Sequence, residues 1–328
     1  MSSAEFHGLT TSEEVIDLFS SRVEGRTFVI TGTGALGIGA YTALALARAA
    51  PGHLILVSRS ASTTQPAIED IKAAAPNVPL TFVQCDLSDQ DAVRAAAATI
   101  LEAASAIDVL INNAGIMAIH DYTTDKRGNE IQLSSNHIGH FLLTNLLVPA
   151  LLAAAKARGE ARVVNLTSHG HRMGPFRFDD YNFSGGAAYQ PYVAYGQSKT
   201  ANILFAVGLT KRLGASGVTS TAVHPGSILG TGLPAHIKDI EKHLKVVEEV
   251  ALRETGREWI WELPRFKTKS QGSSTTLVAA LDPEMPARSP AYLSNCQIRD
   301  PYEYALDPEN AEKLWKLSEE LVGQKFTY

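Results

Sequence analysis

Two cysteines in 328 residues, Cys85 and Cys296, exclude a disulfide framework and give no thiolate pair at metal-binding spacing. They fit a reducing compartment. Basic runs are missing as well. The 29 Lys and Arg are scattered among 34 Asp and Glu, for a formal net charge of -5, which argues against nucleic acid as a partner. The opening Met1-Ser2-Ser3-Ala4-Glu5-Phe6-His7 has no basic stretch followed by an apolar one. The most apolar long segment, Phe141 to Ala155, holds Thr144, Asn145 and Pro149 and is too short to cross a bilayer. The closing Lys325-Phe326-Thr327-Tyr328 carries no retention or peroxisomal address. A cytoplasmic protein without stable membrane insertion is expected.

A hydrophobic fraction of 45% over this length is enough for a substantial core. Apolar strand-like runs begin near Thr27, His53, Val78, Ile107, Ala161, Val218 and Ala291, with helical patterns between them. Such alternation predicts parallel pairing with helices on both faces. The fold class is therefore α/β, a doubly wound parallel sheet whose ligands sit beyond the carboxyl ends of the strands. Residues 1–24 read as an N-terminal extension. There Thr11 caps a short helix with apolar positions Val15, Ile16, Leu18 and Phe19, packed outside the domain. Residues 25–328 read as a single domain.

The stretch Thr31-Gly32-Thr33-Gly34-Ala35-Leu36-Gly37-Ile38-Gly39 follows the apolar run Phe28-Val29-Ile30 and leads into a segment of helix formers. In that setting glycines let the backbone approach a pyrophosphate, which meets unpaired N–H groups and the positive end of a helix dipole. The usual NAD device is an acid about 20 residues further on, accepting from the ribose 2′-hydroxyl. No Asp or Glu lies between Glu24 and Glu69. Ser58 occupies the expected place, with Arg59 and Ser60 after it. A guanidinium grips a 2′-phosphate with two hydrogen bonds, so the sequence favours NADP(H). At later strand ends, Asp86 is suited to accept from an adenine amine, and Ala114 and Gly115 leave room for a flat ring or a ribose.

Several motifs occur in a fixed order: Thr31 to Gly39, Asp86-Leu87, Asn112-Asn113-Ala114-Gly115, Asn136 in Asn136-His137-Ile138-Gly139-His140-Phe141, Ser168, Tyr195-Gly196-Gln197-Ser198-Lys199 and Pro225-Gly226. Over about residues 25 to 322 the chain thereby resembles the short-chain dehydrogenases/reductases, and within them the retinol-dehydrogenase-like branch. Ala311 to Ser318 resembles that branch too. The resemblance implies a Rossmann-type domain with Asn136, Ser168, Tyr195 and Lys199 as the catalytic set. It also implies an NADP(H) site from Gly32, Gly34, Leu36, Gly37, Ile38, Gly39, Ser58, Arg59, Ser60, Asp86, Leu87, Asn113, Ala114, Gly115, Tyr195, Lys199, Pro225, Gly226 and Ile228. One departure stands out: four residues separate Gly32 from Gly37, where the family usually has three.

Tyr195 and Lys199 share a helix face, one turn apart. Bringing a phenol from pKa about 10 to about 7 takes roughly 4 kcal/mol. An ammonium about 5 Å away at an effective dielectric near 20 supplies roughly 3 kcal/mol. Tyr195 is then competent as proton donor for reduction and as base for oxidation. Ser168 can orient a carbonyl, and the family's asparagine, here Asn136, helps place a water near the lysine. His137, His140, His169 and His171 suggest metal ligands only superficially, because no cysteine or acid cluster completes a site in the sequence, and no metal is expected. Both His169 and His171 are candidates to line the substrate cleft.

From Phe176 to Tyr192 the chain is rich in aromatics, suited equally to a pocket wall or to outside packing. A lid is expected at about 227–269. Ile237, Ile240, Leu244, Val247 and Ala251 form one face of a helix there, followed by the apolar patch Trp259, Ile260, Trp261 and Leu263. A large lid favours a lipophilic small-molecule substrate. The expected activity is NADP(H)-dependent interconversion of a carbonyl and an alcohol. Reduction of a conjugated double bond, or a non-catalytic NADP-binding sensor, are the alternatives. Relatives associate through the helices bearing Asn136 and Tyr195; a homodimer stays open, because the long insertion before Tyr195 could block that surface.

Overall fold

The strand sequences TFVIT, HLILVS and ARVVNL are almost continuously apolar, as strands buried on both faces must be. A computed structural model describes residues 5–228 and 230–328. It begins with helix α1 (Ser12–Phe19), then β1 (Thr27–Thr31), α2 (Ile38–Ala47), β2 (His53–Ser58), α3 (Ala61–Ala74), β3 (Leu80–Gln84), α4 (Gln90–Ala103) and β4 (Val109–Asn112). A long helix α5 (Ile131–Arg158) precedes β5 (Ala161–Leu166), α6 (Pro191–Leu213) and β6 (Val218–His224). After α7 (Ile240–Thr255) come α8 (Lys269–Leu281), β7 (Ala291–Ser294), β8 (Gln297–Arg299) and α9 (Pro308–Val322).

The strands form one sheet in the order β3-β2-β1-β4-β5-β6-β7-β8, with β8 alone antiparallel. The order reverses between β1 and β4, where Val29 pairs with Leu110 and Ile30 with Ile111. A crevice opens at such a reversal, beyond the strand ends. One apolar layer, including Val15, Phe19, Leu46 and Leu277, joins α1, α2 and α8 to one sheet face. The other, including Phe141, Leu147, Phe205 and Trp315, joins α4, α5, α6 and α9 to the opposite face.

Thr11 and Glu14 form a reciprocal capping box, and α1 buries Val15, Ile16 and Phe19. Ser12 N–H donates to Ser270 Oγ, tying the extension to α8. On the opposite side α9 lies across α6. Trp315 packs on Phe141 and Phe205 under the Arg212 guanidinium, and Ser318 bonds His137 of α5.

Three features depart from the sequence expectations. β3 and β4 begin at Leu80 and Val109, later than the apolar runs at Val78 and Ile107. β8 was not foreseen, because its hairpin turn uses Asn295 and Cys296, both at positive φ, rather than an Asn-Gly pair. The helix holding Phe141 to Ala155 runs over 28 residues, long enough to cross a membrane, which corrects the judgement that the segment is too short. It is a core helix, with 78% of its most apolar window buried in the fold.

Candidate active site

The turn after β1 is shaped by its glycines. Gly32 has φ +74°, and a Cβ at Gly39 would sit 2.4 Å from Asn113 Nδ2 and 2.6 Å from Gly32 O. Asn113 Nδ2 donates to both Thr31 O and Gly32 O, and Thr31 Oγ1 accepts from the N–H groups of Asn113 and Ala114. These bonds lock the ends of β1 and β4 together at the crevice. The extra residue of the turn is absorbed in a bend: Gly37 N–H bonds Gly34 O, and the Leu36 side chain is 63% exposed. Among the described residues, the N-terminus of α2 has no side-chain cap and the buried Thr33 hydroxyl has no partner. A glycine cradle with uncapped helix N–H groups fits a dinucleotide pyrophosphate.

Ala35 N–H bonds Thr63 O, so the start of α3 lies against the turn. Ser60 caps α3 through Thr63 N–H, and Arg59 is exposed beside it. Ser58 ends β2. Asp86 accepts from Ser88 N–H and Oγ at one oxygen, and Leu87 is buried against Gly139.

The catalytic candidates converge from three elements. Ser168 follows β5, and its Oγ accepts from Gly170 N–H. Tyr195 and Lys199 lie on α6, with Nζ 5.5 Å from the phenol ring centre. Lys199 Nζ donates to Leu166 O, and a Cβ on Gly115 would come 3.3 Å from it and 3.2 Å from Asn136 Oδ1. Asn136 sits in a π-helical stretch of α5, Ser134–Ile138, a distortion common at functional sites. Its Nδ2 donates to Ile116 O and Ser198 Oγ, its Oδ1 accepts from Ile116 N–H, and Ser198 Oγ donates to Tyr195 O. The asparagine thus braces the loop after β4 against the catalytic helix.

His140 fixes the carbonyl of Asn136. That oxygen only accepts, so Nδ1 carries the proton, and Nε2 takes the hydroxyl hydrogen of Thr31. Burial holds this ring down to about 4, hence neutral. His137 is also buried and neutral, against Ser318.

Burial pushes the Tyr195 phenol up to about 12, against a smaller lowering by the Ser168 hydrogen bond, and the Lys199 ammonium down to about 8. In the protein alone burial outweighs the Ser168 hydrogen bond, so the phenol stands above its ordinary value and the lowering expected from its spacing to Lys199 is not seen. At neutral pH the pair is a protonated phenol beside an ammonium.

The cleft above Ser168 and Tyr195 encloses about 670 Å³ when the space open to solvent is counted. Met117, Met173, Tyr192, Val247, Trp259 and Trp261 give it an apolar lining. The lid segment leaves β6 past Gly226 and returns at Lys267, whose N–H bonds Ser227 O. Ile228 pairs with Lys267 in a single bridge. Tyr192 Oη meets His243 Nδ1 of α7 at 2.8 Å. The lid helix differs from expectation: Asp239 caps it, so Ile237 lies outside, Ile240 is exposed, and Val247, Val250 and Ala251 are the buried positions. Ile260 and Leu263 are 72% and 82% exposed. Of the aromatic stretch before Tyr195, Phe176 and Phe178 pack on the core beneath α6, and only Tyr192 reaches the cleft.

His169 lines the cleft, whereas His171 turns inward, with Nδ1 on Ser168 O and Nε2 accepting from Tyr302 N–H. The expectation that no acid completes a histidine cluster is corrected. Glu262 of the lid brings its carboxylate 2.9 Å from His169 Nε2, and with His224 the ligand-type atoms lie within 4.8 Å of one another. Two of the three residues also have other partners. His224 Nδ1 accepts from His169 N–H, the two rings stack, and Glu262 also accepts from Ser294. Burial would raise the Glu262 carboxyl, but the His169 contact, Ser294 and Arg172 outweigh it and hold it at about 2.

Sequence reasoning missed His224, Glu262 and Lys267 as cleft residues. The signal for His224 was its place just before Pro225-Gly226. Glu262 and Lys267 reach the cleft only because the lid folds back, which no local pattern announces.

The short chain dehydrogenase family model matches residues 26–242. Retinol dehydrogenase 12 of Mus musculus is 37% identical over 305 residues, 92% of this chain and 88% of that protein. Oxidoreductase fscI of Fusarium equiseti is 36% identical over 243 residues, 67% of this chain and 94% of that protein. The crystal structure of an uncharacterized protein from Mycobacterium paratuberculosis superposes with a TM-score of 0.68 at 30% identity, covering 100% of this chain and 99% of that one. With the glycine cradle, the reversed strand order and the Ser168, Tyr195 and Lys199 constellation, these likenesses establish that the chain belongs to the short-chain dehydrogenase/reductase family, on its retinol-dehydrogenase-like branch.

Proposed function

We propose that this oxidoreductase reduces a carbonyl group of a lipophilic, flat or polycyclic substrate with NADPH, in the cytoplasm. The carrying observation is the buried Tyr195 phenol at the floor of the cleft beside Ser168, with the Lys199 ammonium 5.5 Å from its ring centre. The bound cofactor supplies the hydride. Ser168 donates a hydrogen bond to the substrate oxygen and holds it toward Tyr195. Tyr195 gives its proton to that oxygen as negative charge develops there. Lys199 stabilises the resulting phenolate, and Asn136 keeps α6 in register through Ser198.

The preference for NADPH rests on Arg59 and Ser60 beside the N-terminus of α3, next to the glycine turn, with no acid at the end of β2. The apolar lining by Trp259, Trp261 and the two methionines supports the substrate class.

The test is NADPH consumption with a panel of ketones, aldehydes and enones, run with wild type and Tyr195→Phe. Consumption by wild type alone, with alcohol products, supports the reading. Saturated ketones as products would move the activity to the double bond. Equal rates for the two proteins would sink it.

A further inference from the structure

We propose that Lys267 receives an anionic oxygen of the substrate, so that the preferred ligand is a flat carbonyl compound carrying a carboxylate, enolate or phenolate. The inference deepens the proposed carbonyl reduction and rests on that reading for its substrate.

Lys267 is 4% exposed and lines the same cleft as Ser168 and Tyr195. Among the described residues its Nζ has no hydrogen-bond partner. An ammonium left in that state is costly, since burial disfavours its charge unless an acceptor meets it. Its place is nevertheless built. The main chain is pinned by the bond to Ser227 O and the bridge to Ile228. The aliphatic stem crosses Gly226, where a Cβ would come 2.6 Å from Lys267 Cδ and 2.9 Å from Cε. Gly226, at φ +93°, therefore both turns the chain and clears the path of the lysine.

The other charged groups of the wall have partners. Glu262 is held by His169 and Ser294, with Arg172 at 4.0 Å. Arg265 stacks on Trp261. Among the described residues that line the cleft, Lys267 is thus the buried cation whose donors await an acceptor, whereas Arg265 is exposed. The indole rings of Trp259 and Trp261 stand in the same cleft, 5.4 Å apart, and suit an aromatic body attached to the anion.

The test measures binding without turnover. 2-Naphthoate and its neutral methyl ester are titrated into the NADPH complex, followed by calorimetry. Wild type should bind the acid about tenfold more tightly than the ester, the scale of one charge-assisted hydrogen bond. Lys267→Met should lose that preference with its affinity for NADPH unchanged, and Lys267→Arg should retain part of it. A melting curve confirms that each variant is folded. Equal binding of acid and ester by wild type overturns the inference. So does a Lys267→Met protein that keeps the acid preference but binds NADPH more weakly, since the ammonium would then serve the cofactor. Failure of the carbonyl-reduction reading shows separately, as silence in the turnover panel.

Discussion

The two walls of the active-site crevice are made by different means. On the cofactor side, recognition is main chain: Gly32, Gly37 and Gly39 clear the space, Asn113 and Thr31 fix the turn, and α2 presents uncapped N–H groups. On the lid side the wall is side chain: Trp259, Trp261, Glu262 and Lys267 project from a segment with little regular structure around them. A backbone wall is fixed by close steric contacts and tolerates little change. A side-chain wall can be recut residue by residue while the chemistry beneath it stays in place.

The contrast is sharpened most strongly at the floor between the walls. Tyr195→Phe should cut turnover by about 10³-fold while leaving NADPH affinity within twofold, measured by steady-state rates and fluorescence titration. On the backbone wall, Gly39→Ala forces a methyl to within 2.6 Å of Gly32 O, so NADPH affinity should fall about 100-fold. An unchanged affinity would break the claim that this wall is intolerant. Arg59→Ala should weaken NADPH about tenfold and leave NADH unaffected, read as the ratio of kcat/KM values.

The smallest effect belongs to the lid. Glu262 titrates near 2 in the fold, against 4.5 ordinarily. Its folded pKa is depressed, so the stability it lends is fully present above pH 4.5 and fades as pH falls toward 2. Glu262→Gln should therefore lower Tm by a few degrees at pH 7, with the difference closing as the pH drops through that window. A constant difference across the window would remove the ionised Glu262 carboxylate as its cause.

This division also decides what the sequence could reveal. The strand starts at Thr27, His53, Ala161, Val218 and Ala291, the glycine turn and the Tyr195–Lys199 spacing were readable because local periodicity and backbone sterics dictate them. Lys267 was not, because it lies 41 residues beyond Gly226 in the chain and beside it only in space. Glu262 was hidden likewise, and with it the completed cluster around His169 and His224. The true start of α7 at Ile240 was set by the Asp239 cap, not by the apolar face read through Ile237. The ionisation of Tyr195 followed burial, which a spacing argument does not contain.

One consequence concerns the order in which the protein is made. The outer flank of α6, the helix that carries Tyr195 and Lys199, is roofed by Trp315, and the π-helical turn beside Asn136 is tied to Ser318. Both come from α9, more than 100 residues after Lys199. A chain emerging from the ribosome therefore carries a sheet that can already assemble and a catalytic helix with an open apolar flank. Activity should arise only after the stretch through Val322 has left the exit tunnel, and until then that flank is the surface a chaperone would meet.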